Sequence, residues 1–291
     1  MYANVNKKGV AFLESQSQGG MFPCYISNSV DMAECQLSPP DVASSIIVLD
    51  VLERQHPAHL LVQDVRQYVE KRDRDGLFSY FDYPYPADAD DTAVGMMVVS
   101  GGKPESRYTT TAKRVIGNTD EDGIIQVWLE TGHDQSLDAV VAVNAVRMAC
   151  MFGLKGEVEP TIEHIIAHLV GGRYLNGTRY YHLPGMFLYF LSKLVCDYGV
   201  LSSRELGVLE DATAKGLRES EKPVEIALHI TAARLLSLSK SPWTARQATL
   251  AAMQQSDGSW PMESLWHFGS QSGYFGSESL STAFAIEALL S

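Results

Sequence analysis

The sequence has no run of the roughly 18–20 apolar residues that a membrane-spanning helix needs, which excludes an integral helical membrane protein. It holds only four cysteines, Cys24, Cys35, Cys150 and Cys196, with no Cys-x-x-Cys pair and no Cys/His cluster at zinc spacing. A disulfide scaffold and a structural zinc site are therefore not expected. Cys150 and Cys196 lie in apolar helical stretches and read as small buried hydrophobes. Positive charge is scarce: 23 Lys and Arg stand against 35 Asp and Glu, a formal charge of −12. That balance argues against a nucleic-acid partner and against binding to anionic lipid by charge. Lys7 and Lys8 near the amino terminus are followed by no apolar run, so no secretory signal is read there. The expectation is a reduced, cytoplasmic protein with no transmembrane segment, at most peripheral to a membrane.

What is present is 291 residues, 45% hydrophobic and 20% charged, enough for one large domain over 1–291. A pattern recurs along it: polar residues at a helix end, a glycine, then an aromatic. It runs as Gln18-Gly19-Gly20-Met21-Phe22, as Arg74-Asp75-Gly76-Leu77-Phe78 and as Gln254-Gln255-Ser256-Asp257-Gly258-Ser259-Trp260. Weaker copies are Asp122-Gly123 with Trp128, and Gly177 with Tyr180. Each copy follows an amphipathic stretch and precedes a uniformly apolar one. The amphipathic set is 5–15, 58–71, 105–116, 160–170, 203–217 and 243–254. The apolar set is 41–54, 91–100, 137–152, 184–198, 223–238 and 277–290. Helices apolar on every face are buried, and amphipathic ones lie outside them. Six alternating pairs predict an all-α (α/α)6 barrel of about twelve helices, with an open helical solenoid as the competing arrangement. The aromatics Phe22, Phe78, Trp128 and Trp260 are read as staples between repeats.

The segment richest in chemistry is Tyr80-Phe81-Asp82-Tyr83-Pro84-Tyr85-Pro86-Ala87-Asp88-Ala89-Asp90-Asp91-Thr92-Ala93. Three aspartates precede a buried helix, so they should stand at the rim of the barrel's central cavity. Like charges that close cannot all ionise, and one carboxyl should keep its proton near neutral pH. A protonated carboxyl in a dry apolar cavity is a general acid. The competing reading is a cluster of helix caps, since Asp favours that position. An EF-hand is excluded by the missing Gly and Glu ligand pattern.

This segment resembles the catalytic segment of class II terpene cyclases, especially squalene–hopene cyclases. Those carry an Asp-x-Asp-Asp-Thr-Ala motif after a Gly-aromatic, Phe-Asp and Tyr-Pro lead-in, matched here by Gly76, Phe78, Phe81-Asp82, Tyr85-Pro86 and Asp88 to Ala93. The Gly-aromatic copies resemble the family's glutamine–tryptophan repeats, best at Gln254, Gly258 and Trp260. The resemblance implies that Asp90 donates a proton to an isoprenoid double bond, with Asp88 and Asp91 as its polarising partners. It also implies a supporting histidine on the next buried helix. Leu137–Ala149 has none, leaving Asn144, or His133 just before the helix, as the substitute. Tyr83, Tyr85, Tyr180, Tyr181, Trp266, Phe268, Tyr274 and Phe275 are the aromatic candidates for stabilising a carbocation.

Family members usually have two or three helical domains with the cavity between two of them. This chain has room for one, so a homodimer, a partner protein or the barrel itself must close the cavity. A C15 or C20 prenyl chain then fits better than squalene. Protonation needs no cofactor; a diphosphate substrate would call for Mg2+ or for basic residues such as Lys222, Arg173 and Arg179. The Asp-Asp-x-x-Asp motif of ionisation-initiated cyclases is absent, as is the zinc set of protein prenyltransferases near Asp257 and Tyr274. Two competing functions remain. One is an (α/α)6 glycoside hydrolase, which would need Asp88 or Asp90 facing Glu225 or Glu278 across a cleft. The other is a non-catalytic barrel that holds a lipid or a protein helix.

Overall fold

The alternation of amphipathic and apolar stretches becomes an alternation of outer and inner helices in the computed structural model, which describes residues 2–53, 59–82, 84–130, 136–268 and 273–290. The outer helices are α1 (Ala3–Gln16), α3 (Leu60–Glu70), α5 (Thr109–Gly117), α7 (Glu159–Val170), α9 (Ser203–Glu219) and α11 (Lys240–Ala252). The inner helices are α2 (Ala43–Leu52), α4 (Ala89–Val99), α6 (Ala139–Met151), α8 (Pro184–Tyr198), α10 (Pro223–Leu235) and α12 (Glu278–Leu289). Burial follows composition. All ten residues of α2 are buried, whereas α9 buries only Leu209, Thr213 and Leu217. Pro184 and Pro223 open α8 and α10 at the first turn, where a missing N–H costs nothing.

Closure into a ring, and not an open solenoid, follows from the neighbours. Each inner helix packs on the next, and α12 packs on α2 and on α1, joining the end of the chain to its start. The glycine–aromatic repeat makes that seam. Gly258 has φ +97°, and a Cβ there would lie 2.5 Å from the Lys8 carbonyl oxygen, so only glycine lets α1 approach. Gln254 donates from Nε2 to the Val5 carbonyl at 2.9 Å. Trp260 is fully buried, its Nε1 donating to the Leu250 carbonyl at 2.8 Å and its backbone N–H to Thr282 Oγ1 at 3.1 Å. Phe22 and Phe78 are buried in the same way, as staples. Trp128 departs from that expectation: it is only half-buried and faces the cavity described below. Cys196 is also a correction, because it is exposed at the end of α8 and not in the core, and Cys150 is only partly buried.

A feature with no clear periodicity in the sequence is a four-stranded antiparallel sheet at one mouth of the barrel. Its strands are β1 (Tyr25–Ser27), β2 (Gln36–Leu37), β3 (Ser264–His267) and β4 (Tyr274–Gly276), in the order β2-β1-β4-β3. Loops from opposite ends of the chain pair through Ile26 and Phe275, so the sheet exists only because the ring closes. No described helix is long and apolar enough to cross a membrane.

Candidate active site

The inner helices begin at the mouth that carries the sheet. A cavity there is lined by Ala43 and Ile47 of α2, by Asp88, Asp90 and Asp91 at the start of α4, and by Val141 of α6. Apart from Val127, its remaining wall is aromatic: Tyr80, Tyr85, Trp128, Tyr180, Tyr181, Trp266 and Phe268, with His267 beside them. It encloses about 630 Å³ of empty space, its open mouth included. The sheet covers it, since Trp266 and His267 belong to β3 and Phe268 follows directly. The sheet thus contributes part of the cavity's cover from within the chain, and the mouth stays open.

Local structure explains how the aspartates are presented. Asp88 is the N-cap of α4 and accepts the Asp91 N–H at 2.8 Å through Oδ1. The chain before it is clamped on both sides. The Ala89 N–H donates to the Val127 carbonyl at 2.7 Å, and Thr92 Oγ1 donates to the Phe78 carbonyl at 3.1 Å. Asp90 therefore leaves the first helical turn as a side chain with a fixed direction, only 8% exposed. Its Oδ1 accepts from Asn144 Nδ2 at 2.8 Å. Its Oδ2 is hydrogen-bonded to the Tyr181 hydroxyl.

These surroundings raise the acid. Burial pushes Asp90 up to about 7, and the Asp88 charge adds to the effect; the hydrogen bonds from Tyr181 and Asn144 pull the other way. Burial also lifts Asp88 to about 6. Asp91 is held well above the usual carboxylate range, first by loss of solvent and then by the Asp88 and Asp90 charges. Repulsion among neighbours was the expected main cause. The larger cause is desolvation, because the cavity wall is aromatic and the acids stand where water is sparse. Asp138, the N-cap of α6, is raised by burial too, and its Oδ2 accepts the Tyr180 N–H at 2.8 Å, holding that ring at the mouth.

The other expected residues divide. Tyr85, Tyr180, Tyr181, Trp266 and Phe268 line the cavity. Asn144 stands behind Asp90, where a supporting residue on the next buried helix was sought. Phe275 is buried behind the wall, edge-to-face with Phe268 at 4.8 Å and with Tyr80 at 5.5 Å. Tyr274 packs on His182 at 5.4 Å and His267 at 5.9 Å, away from the cavity. Tyr83 and His133 lie outside the described residues. Glu225 is committed to His229 at 3.0 Å and to the Gly185 N–H at 3.2 Å. Neither it nor Glu278 lines the cavity, so the opposed pair a glycosidase would need is not formed there. Lys222, Arg173 and Arg179 are exposed. No group of three His, Cys, Asp or Glu able to hold a metal is found among the described residues.

Tyr80, Trp128 and His267 were not among the expected lining residues. Tyr80 accepts from Trp266 Nε1 at 2.6 Å, and Trp128 Nε1 donates to the Tyr180 hydroxyl at 3.2 Å, so the polar ends of the wall satisfy one another. The signal for Tyr80 was its place two residues after the Phe78 staple, where an extended chain points back to the same side.

Comparison with known proteins agrees with this arrangement. Residues 40–152, which carry all three aspartates, match the sesquiterpene cyclase astC-like C-terminal domain. The chain is 26% identical over 207 residues to the drimenol cyclase drtB of Aspergillus calidoustus, covering 70% of this chain but only 38% of that protein's length. In structure it is similar to the type II terpene cyclase MstE from Scytonema in complex with geranylgeranyl dihydroxybenzoate, with a TM-score of 0.72 at 14% identity over 99% of this chain and 96% of that one. The ent-copalyl diphosphate synthase of Streptomyces platensis is similar with a TM-score of 0.65 at 13% identity, over 85% of this chain and 50% of that one. The structural likeness shows the helical barrel fold shared with these cyclases, and the likeness in sequence to a terpene cyclase domain is confined to residues 40–152 for the family match.

Proposed function

We propose that the chain is a class II terpene cyclase that protonates the terminal double bond of a linear isoprenoid through Asp90. The observation that carries this reading is a carboxyl lifted to about 7 by burial and facing an aromatic cavity. At neutral pH a large fraction of such a carboxyl holds its proton, and little water competes for it. The O–H bond of Asp90 breaks, its electron pair stays on the carboxylate, and the alkene π pair forms the new C–H bond. The adjacent carbon becomes cationic and is attacked by the next double bond, closing a ring. The last cation loses a proton or captures water.

Tyr181 and Asn144 serve the leaving carboxylate. Each can donate to one of its oxygens, which lowers the cost of ionising Asp90 in a dry site. Asp88 and Asp91 hold a proton in reserve beside it. The faces of Tyr80, Tyr85, Trp128, Tyr180, Trp266 and Phe268 stabilise the migrating positive charge, each by about 1–2 kcal/mol where desolvated. Protonation itself calls for no cofactor.

A C15 or C20 prenyl substrate fits this reading, in keeping with the sesquiterpene cyclase match and with the geranylgeranyl group bound to MstE. No Lys or Arg lines the cavity among the described residues. A diphosphate end would therefore stay at the mouth, where Mg2+ or the exposed Lys222, Arg173 and Arg179 would meet it. The sheet covers part of the cavity, and a second copy or a partner protein over the open mouth would complete the exclusion of water.

The test is incubation with farnesyl and geranylgeranyl diphosphates, the free prenols and squalene, with extracts assayed for cyclic products beside Asp90→Asn. The parent is expected to give a cyclic product and the variant none. The same product from both would remove Asp90 from the reaction. No turnover of any isoprenoid by the parent would favour a barrel that only binds.

A further inference from the structure

The inner helices were expected to be apolar throughout, yet four charged side chains meet inside the barrel below the cavity. Asp50 of α2, Arg147 of α6, Lys193 of α8 and Glu287 of α12 are all buried. Lys193 Nζ lies 2.6 Å from Asp50 Oδ2 and 3.8 Å from Glu287 Oε1, and Arg147 Nη2 lies 3.9 Å from Asp50 Oδ1. The Tyr189 hydroxyl donates to Glu287 Oε2 at 2.8 Å. Two cations balance two anions, so the cluster is neutral as a unit. Replacing such a set with apolar residues is often neutral or stabilising. Stability therefore does not account for it.

One bond leads from this cluster to the acid. Arg147 Nη1 donates to Asn144 Oδ1 at 3.1 Å, one helical turn apart on α6, and Asn144 is itself fully buried. A guanidinium has donors only, so the amide atom facing it must be the oxygen. The atom facing Asp90 must then be the NH2 group. In a carboxylic acid the bare carbonyl oxygen is the better acceptor, so an NH2 group directed at Asp90 Oδ1 selects that oxygen as the bare one. The transferable proton is thereby confined to Oδ2, beside Tyr181.

We infer that Arg147 is a positioning residue that locks the orientation of the Asn144 amide and so decides which oxygen of Asp90 carries the proton. The inference rests on Asp90 as the acid. Without Arg147 the amide can turn over and present its carbonyl to Asp90. It would then accept the proton instead of stabilising the carboxylate, and the acid would become weaker. Asp50, itself paired with Lys193, holds the guanidinium in place from behind.

The experiment compares kcat, KM and the pH dependence of kcat for the parent, Arg147→Met, Asn144→Ala and the pair together. Arg147→Met is made also with Asp50→Asn, so that no buried charge is left unpaired and the barrel can fold; thermal unfolding checks this. Loss of a hydrogen bond to a charged group predicts a roughly 10–100-fold fall in kcat. KM is expected to stay within about twofold, because the substrate is not touched. The alkaline limb of the kcat profile should move to higher pH, because a bond to the neutral carboxyl favours it. In the Asn144→Ala background, removing Arg147 should cost nothing further. Arg147→Lys, which keeps a donor, should restore part of the rate and the parent's limb. A folded Arg147→Met/Asp50→Asn protein with the parent's limb, or losses that multiply in the Asn144→Ala background, would overturn the inference. Activity retained by Asp90→Asn would instead overturn the assignment of the acid, whatever Arg147 does.

Discussion

Replacing Asp90 with Asn should stabilise the protein at neutral and alkaline pH while abolishing product, and the size of the gain can be worked from its surroundings. Burial raises the Asp90 carboxyl from 3.8 to about 7. In the unfolded chain the group loses its proton near 4, while the folded chain holds it until about 7. Across that window the folded state binds one more proton than the unfolded state. Stability must then fall as pH rises, by about 1.4 kcal/mol for each pH unit. The contribution is fully present below pH 4 and lost once pH passes about 7, a total on the order of 4 kcal/mol. Asn imitates the neutral acid: its oxygen can accept from Asn144, and its NH2 can donate to the Tyr181 hydroxyl. It does not titrate. Urea unfolding of the parent and Asp90→Asn at pH 5, 6, 7 and 8 measures the difference directly. Removing the Asp90 charge also relieves its neighbour Asp91, which adds to the difference in the same direction. The two stability curves should diverge from pH 5 to about pH 7 and run parallel above it, the variant the more stable. Curves already parallel between pH 5 and 7 would refute the raised acid, and with it the source of the proton.

Three further outcomes follow from the same geometry. The kcat of the parent should fall about tenfold per pH unit above pH 7, as the protonated fraction of Asp90 declines; a rate flat to pH 9 would contradict this. Tyr181→Phe removes the hydroxyl bonded to Asp90 Oδ2, so kcat should drop roughly 10–100-fold with the alkaline limb shifted upward, read from a pH–rate profile. Trp260→Ala empties the fully buried seam between α1 and α12 and should cost about 3–5 kcal/mol in chemical denaturation, with activity per folded molecule retained at the midpoint's foot.

The site was partly legible in the residues themselves. Three aspartates before an apolar stretch were expected at the cavity rim and line it, because helix starts and barrel mouths coincide when every inner helix runs the same way. Asn144 could be singled out as the lone amide of its helix. Arg147 carried a comparable signal, a single charge in an otherwise apolar α6, matched by Asp50, Lys193 and Glu287 in α2, α8 and α12. One buried charge in each of four inner helices implies that they meet, since none can stay unpaired; Asp197 and Glu278, the second charges of α8 and α12, are not buried. Tyr274 and Phe275 are consecutive in β4 and so point to opposite faces of the sheet: Tyr274 packs on His182 and His267, while Phe275 lies behind the lining residues Tyr80 and Phe268.

By itself the sequence determined the alternation of outer and inner helices and placed the three aspartates at the start of an inner one, because periodicity and burial are local properties of each stretch. It did not determine the sheet over the mouth, the ranking of desolvation above repulsion at Asp90, or the route from Arg147 through Asn144. Those depend on residues far apart in the chain meeting across a closed ring. Hydrogen-bond direction and solvent exclusion exist only once that ring has closed.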